Sequence, residues 1–253
     1  MLLKKIQEEL LVAEIYSTRL EMGKAAGEEA AKAIQRVLEQ KEYANVIFAA
    51  APSQNEMLES LLKEKVDFSR VHAFHMDEYA GLSVEDPQSF ATYLTDHIFS
   101  KANFASVNLI PAKKNVDEAC AIYEDLLKKF PPDVVCMGIG ENGHIAFNDP
   151  PVADFNDSKW IKKVELDEIC RMQQVHDGCF PTFDDVPKYA LTLTVPALLS
   201  AKYLICTVPA ATKANAVKAM LYGPYGEICP ATALRKHSGA KLFLDQDSAS
   251  HIL

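Results

Sequence analysis

The stretch GIGENGHIAFNDP, residues 138–150, sets one histidine between glycines and an apolar run, directly after the strand-like DVVCMGIG. Asn142 stands two residues before His144 and Asp149 five residues after it. A carboxylate behind an imidazole fixes the ring's tautomer and stabilises its protonated form, so this spacing suits a histidine that moves protons. The plainer reading is a satisfied structural histidine; the neighbouring Gly143, where backbone can approach closely, favours the catalytic one.

A second cluster, Met76-Asp77-Glu78-Tyr79, ends the strand-like run VHAFHM. Side chains alternate across a strand, so one acid is expected to face a crevice and the other the scaffold. A carboxylate partly desolvated in such a crevice has its pKa raised toward neutrality, which suits a base removing a proton beside a carbonyl. The alternative is a solvated acidic turn. Lys213 opens a helical pattern after KYLICTV. There its ammonium and the helix N-terminus could hold a phosphate, although first-turn lysines are also common without one. His75, Asp77 and His144 would be the candidate metal ligands, but no H-x-x-x-H or clustered Cys/His spacing supports them, and no metal is expected.

The elements that must position these residues are legible as alternating strand-like and helical patterns. LLVAEIY precedes a long helical pattern from about Arg19 to Gln40, in which Ala26, Ala30, Ala33 and Ile34 recur with a period near 3.6. NVIFAAA, VHAFHM, VNLIP and DVVCMGI read as strands separated by helical SQNEMLESLLKEK, PQSFATYLTDHIF and VDEACAIYEDLLKKF. KKVEL, YALTLTV, KYLICTV, the helix TKANAVKAML and KLFLD continue the series. Strands separated by helices imply parallel pairing with right-handed crossovers: an α/β, doubly wound, mostly parallel Rossmann-like sheet with helices on both faces. No linker-like tract or repeat interrupts it, so residues 1–253 are read as one domain. In such sheets ligands bind beyond the carboxyl ends of the strands. AAAPSQNE, FHMDEY, GIGENGHIAFNDP and VPAATK all follow strands, so parallel topology alone brings them to one edge.

Composition removes several classes of function. The net charge is −9, with no basic stripe interleaved with aromatics, so nucleic acid is not an expected partner. No apolar run approaches the roughly 18 residues a membrane span requires, and MLLKKIQEEL lacks the uninterrupted apolar core of a secretory signal. The six cysteines contain no C-x-x-C pair and several sit in strand-like runs, which suits buried thiols in a reducing compartment. The chain is read as cytoplasmic.

FHMDEYAGL, the following PQSF, the central GIGENGHIAFNDP and the later VPKYALTLTVPALL resemble, in matching order over nearly the whole chain, the glucosamine-6-phosphate deaminase (amino-sugar-phosphate isomerase) family. The related 6-phosphogluconolactonases share the sheet and a G-x-x-x-G-H element. They usually continue it into Ser-Leu-Phe-Pro and carry Asp-Glu-Arg where this chain has Asp77-Glu78-Tyr79.

The resemblance implies a small-molecule sugar-phosphate substrate, glucosamine 6-phosphate or an epimer, and no cofactor. Asp77 is then the base that moves a proton between C2 and C1, and His144 assists ring opening with Asp149 and Asn142 behind it. Lys213 contacts the phosphate, and Ser53, Gln54, Glu78, Gly143 and Arg171 are expected around the substrate. The family permits a homo-oligomer.

Four departures from the family pattern carry expectations of their own. Asp149 stands where relatives have Glu, so its contact with His144 is expected to need a closer backbone or a bridging water. Asn142 replaces an Asp of many relatives but can still accept from an imidazole N–H. Ala51-Pro52-Ser53-Gln54-Asn55-Glu56 replaces the glycine-rich Thr-Gly-Gly-Thr-Pro anion loop, so any phosphate must be held differently. The family's phosphate arginine has Arg171 as its nearest candidate. A lactone hydrolase and a sugar-phosphate sensor without catalysis are the alternative readings.

Overall fold

The computed structural model describes residues 1–176 and 178–253. The main sheet has eight strands: β1 (Leu2–Glu8), β2 (Leu11–Tyr16), β3 (Ala44–Phe48), β4 (Val71–His75), β6 (Ser106–Asn108), β7 (Val134–Met137), β10 (Tyr203–Val208) and β11 (Ala240–Asp245). Their spatial order is β1-β2-β11-β10-β7-β3-β4-β6. All neighbours run parallel except β1, which forms an antiparallel hairpin with β2. That edge strand falls on MLLKKIQEEL, whose mixed charge carries no strand signal; pairing with β2 decides it.

The helices are α1 (Arg19–Leu38), α2 (Asn55–Leu61), α3 (Phe90–Leu94), α4 (Val116–Lys129), α5 (Glu168–His176), α6 (Val195–Leu199) and α7 (Ala214–Tyr222). Alternate residues of the central strands feed two cores, one on each face. Val46, Phe48, Val134 and Cys136 pack with Met22, Ala26, Ala30 and Ile34 of α1 and with Met57 and Leu58 of α2. Ile47, Val135 and Met137 pack with Tyr123 and Leu127 of α4 and with Val217 and Met220 of α7. The doubly wound architecture read from the sequence is therefore present. Burial on both faces explains why these strands are continuous apolar runs.

Two runs leave this sheet. KKVEL and YALTLTV, expected to extend the parallel series, form β8 (Ile161–Glu165) and β9 (Tyr189–Leu193), which pair antiparallel with β5 (Asp77–Tyr79) in a separate three-stranded sheet. The reason lies in their burial. β8 lacks the continuous burial of a central parallel strand, since Lys163 and Glu165 are exposed beside buried Ile161 and Val164. A single residue, Met76, separates β4 from β5, and Leu193 N–H donates to Met76 O at 2.8 Å, so the chain is drawn off the main sheet there.

The winding creates the crevice. From β3 the chain moves outward to β4 and β6, then returns to β7 on the other side of β3. Loops leaving the carboxyl ends of β3 and β7 therefore part in opposite directions, and the space between them is the ligand position of such sheets.

Candidate active site

That crevice holds a cavity to which Asp77, His144, Lys213, Ser53 and Gln54 all contribute. They arrive on four separate segments: the turn after β3, the start of β5, the loop after β7 and the turn after β10.

His144 is held from behind. Its Nδ1 lies 2.8 Å from Asn142 Oδ1 and 2.9 Å from Asp149 Oδ1. The Asn142 amide nitrogen donates to Asp149 Oδ1 at 2.9 Å, and its oxygen also accepts the His144 backbone N–H at 3.0 Å. The amide is thereby oriented with its oxygen toward the ring. Two acceptors face Nδ1, so Nδ1 carries the hydrogen and Nε2 is left as the nitrogen that the loop does not use. Burial works to raise the Asp149 carboxyl, but the bonds from His144 and Asn142 outweigh it and hold it below the ordinary value. Of the two routes expected for the shorter acid, a closer backbone or a bridging water, the direct contact matches the first.

Gly140 makes room for the ring, since a Cβ there would lie 2.1 Å from His144 Cε1. Gly143 lies outside the cavity lining and turns the loop instead: its φ is +82°, its carbonyl accepts from Ala231 N–H at 2.9 Å, and an added Cβ would meet Cys229 Sγ at 2.5 Å.

The two acids of Met-Asp-Glu-Tyr separate as strand alternation requires. Asp77 lines the cavity, and burial, with Glu78 beside it, raises its carboxyl well above the ordinary range. Glu78 faces the scaffold, accepting the backbone N–H groups of Tyr79, Phe90 and Ala91 at 2.9–3.1 Å, and so caps α3. Burial pushes it up to about 7 against the pull of those donors. It was expected around the substrate and is absent from the cavity lining.

Lys213 is buried at the head of α7. The turn before it contains Ala210 at φ +81°, a conformation costly for any residue with a Cβ, held by the Ala210 N–H on both carboxylate oxygens of Asp245 at 3.2 and 3.1 Å. Gln54 Nε2 donates to Ser53 Oγ at 3.0 Å and to Thr207 O at 3.2 Å, which leaves buried Oε1 without a protein donor.

Arg171 is turned away. Its guanidinium donates to Phe183 O at 2.8 Å and Val186 O at 2.9 Å and lies over the Phe183 ring, tying α5 to the following loop. The neighbours Gln173 and Gln174 line the cavity instead, Gln173 accepting from Glu141 N–H at 3.0 Å and Gln174 from Tyr79 Oη at 2.7 Å. Arg19 also lines the cavity. Sequence reasoning passed over it, although it follows the strand LLVAEIY and the rule about strand ends applies there too. His75 is fully buried, held by an Ile110 N–H to Nε2 at 2.7 Å, with burial pulling it down to about 3, and it takes no part in the cavity. Among the described residues, the His, Asp and Cys atoms that approach as ligands would are those of His144, Asp149 and Cys170, within 4.8 Å of one another. Burial, followed by the charge of Asp149, raises the Cys170 thiol, so it stays protonated.

Comparison with known proteins agrees with this geometry. A family model for glucosamine-6-phosphate isomerases/6-phosphogluconolactonase matches residues 17–243. A glucosamine-6-phosphate deaminase of Bacillus thuringiensis (strain Al Hakam) is 34% identical over 221 residues, covering 87% of this chain and 82% of the relative. One of Bacillus cereus (strain G9842) is 35% identical with the same coverage. Among solved structures, a monomeric glucosamine-6-phosphate deaminase superposes with a TM-score of 0.87 at 29% identity, covering 94% of this chain and 99% of that one. The 6-phosphogluconolactonase of Thermotoga maritima shares the fold, with a TM-score of 0.76 at 20% identity over 93% of this chain and 99% of its own. A direct Asp149–His144 contact, a buried Asp77 across the same cavity and a match over most of the chain converge on one assignment: this protein belongs to the glucosamine-6-phosphate isomerase/6-phosphogluconolactonase family.

Proposed function

We propose that the chain is an isomerizing deaminase that converts an amino-sugar 6-phosphate, glucosamine 6-phosphate or an epimer, to the ketose 6-phosphate and ammonia. The observation that carries this is the presence of Asp77 and His144 in one cavity with Lys213. His144, hydrogen-bonded at Nδ1, offers Nε2 to the sugar's O1 hydroxyl. It takes that proton and returns it to the ring oxygen as the C1–O5 bond breaks, leaving an aldehyde at C1. Asp77 then removes the proton on C2, whose electrons form the C1–C2 double bond of an enolamine as O1 takes up a proton. It returns its proton to C1 as the nitrogen gives one up, so that hydrogen moves from C2 to C1 and from nitrogen to O1. The product is a ketimine at C2; water adds there and ammonia leaves.

A carboxyl raised by burial suits that exchange, because it accepts a carbon-bound proton more readily and holds it for return. Gln54 Oε1, without a protein donor, is placed to accept a sugar hydroxyl, and Lys213 supplies positive charge for the phosphate. Cys136, Cys170 and Cys206 are buried thiols, in keeping with a cytoplasmic enzyme. The test is ammonia release across a panel of hexosamine 6-phosphates beside Asp77→Asn. Turnover by the wild type and loss in the variant are expected; binding without ammonia release would sink the reading.

A further inference from the structure

Resting on that reading, we infer that Arg19 is the phosphate-binding arginine of this protein, supplied from α1 rather than from the segment before Val186. The argument begins with two glycines. α1 and α2 pack so closely that a Cβ on Gly23 would lie 2.2 Å from Glu56 Cβ, and one on Gly27 would lie 2.5 Å from Ser60 Cβ. Arg19, Gly23 and Gly27 are spaced by four, so they share one face of α1, and Glu56 and Ser60 answer them on α2. The backbones can meet only because the middle of that stripe has no side chains. Its N-terminal member therefore reaches the cavity edge beside the Pro52–Gln54 turn.

The guanidinium is oriented but not used up. Arg19 Nε donates to Glu56 Oε1 at 2.8 Å and Nη2 donates to Pro52 O, while buried Glu56 Oε2 has no partner. The pair is thus single-pointed rather than a fork on a carboxylate. An arginine has five N–H donors in a planar fork suited to phosphate oxygens, and two of these are accounted for. Arg19, Ser53 and buried Lys213 line the same cavity from three different segments. Arg171 lies outside the cavity lining and turns its guanidinium to Phe183 O and Val186 O. The anion-holding end of this cavity therefore lies against α1 and the Pro52 turn, and the proline-containing loop needs no nest of backbone N–H groups to hold a dianion.

The test uses Arg19→Met and Glu56→Gln in the full chain. One readout is the steady-state constants for the hexosamine 6-phosphate that is turned over. The other is protection of the fold by inorganic phosphate in thermal melts. Loss of a charge-assisted phosphate contact should raise KM about 10- to 100-fold in Arg19→Met, leave kcat within a few-fold and abolish phosphate protection. Glu56→Gln should do the opposite, lowering KM and strengthening protection, because it removes a negative charge from beside the guanidinium. A purely structural Arg19–Glu56 pair would make both variants melt lower with phosphate protection unaltered, and that result overturns the inference. Should the wild type release no ammonia from any substrate, the deaminase reading fails, while phosphate protection in the two variants still decides the role of Arg19.

Discussion

Asp149 touches His144 directly, Oδ1 to Nδ1 at 2.9 Å, with the amide of Asn142 bridging the same two side chains. The short carboxylate of Asp149 thus reaches the ring directly. The slot behind the ring is crowded by the Asn142 amide, bonded to Asp149 Oδ1, and by the buried Cys170 thiol within 4.8 Å of the carboxylate and the ring. Two outcomes follow for position 149. Asp149→Asn keeps the shape and loses the charge, and kcat should fall about 100-fold with little change in melting temperature. Asp149→Glu adds one methylene and overfills the slot, at a cost of about 1–3 kcal/mol. Steady-state assays and thermal melts check both; a Glu variant more active and no less stable than the wild type would refute the packing argument.

Gly140 is required by the ring of His144. An added Cβ would stand 2.1–2.4 Å from three ring atoms, so Gly140→Ala must swing the imidazole out of its seat. Activity should drop about 100-fold or more, because a displacement near 1 Å in a reacting group costs that much. Far-ultraviolet circular dichroism of the variant should remain that of the wild type. Wild-type turnover in Gly140→Ala would show that the ring has room the geometry denies it.

The raised carboxyls set the pH behaviour. Asp77 must be ionised to take a proton from carbon, so kcat/KM should climb with pH through a value well above the ordinary 3.8 of an aspartate. For stability the sign is the reverse. Glu78 titrates near 7 when folded against 4.5 ordinarily, so between those values the unfolded chain has released a proton that the folded chain keeps. Stability is full below about 4.5 and is lost as pH rises toward 7. Glu78→Gln should be less stable at pH 4.5, having fewer acceptors for the N–H groups of Tyr79, Phe90 and Ala91, yet should decline less, since of these two raised carboxyls only Asp77 remains. Urea unfolding from pH 4.5 to 7.5 measures both; an undiminished decline in the variant would assign the titration elsewhere.

Ala210 stores strain where Lys213 is presented. At φ +81° it occupies a conformation natural to glycine, and its carbonyl accepts the Lys213 N–H at 3.1 Å. Ala210→Gly should therefore stabilise the fold by about 1 kcal/mol, the strain relieved outweighing the entropy lost. The same change loosens the lysine, so KM for the phosphorylated substrate should rise. A variant that melts lower than the wild type would show that the turn is not strained.

The arrangement of residues along the chain determined the doubly wound sheet and the edge at which Asp77, His144, Lys213, Ser53 and Gln54 meet, because buried parallel strands need continuous apolar runs and parallel strands present all their carboxyl ends together. Alternation within β5 likewise separated Asp77 from Glu78. Tertiary structure alone decided that β8 and β9 leave the main sheet for β5, that Arg171 closes a loop while Arg19 enters the cavity, and that the shorter Asp149 still reaches its histidine. Each of these depends on distances between segments far apart in sequence, as the entry of Arg19 depends on how closely two helices pack at Gly23 and Gly27. Residue type says that a side chain can hold a phosphate or a proton; only the packing of its element says which cavity it reaches.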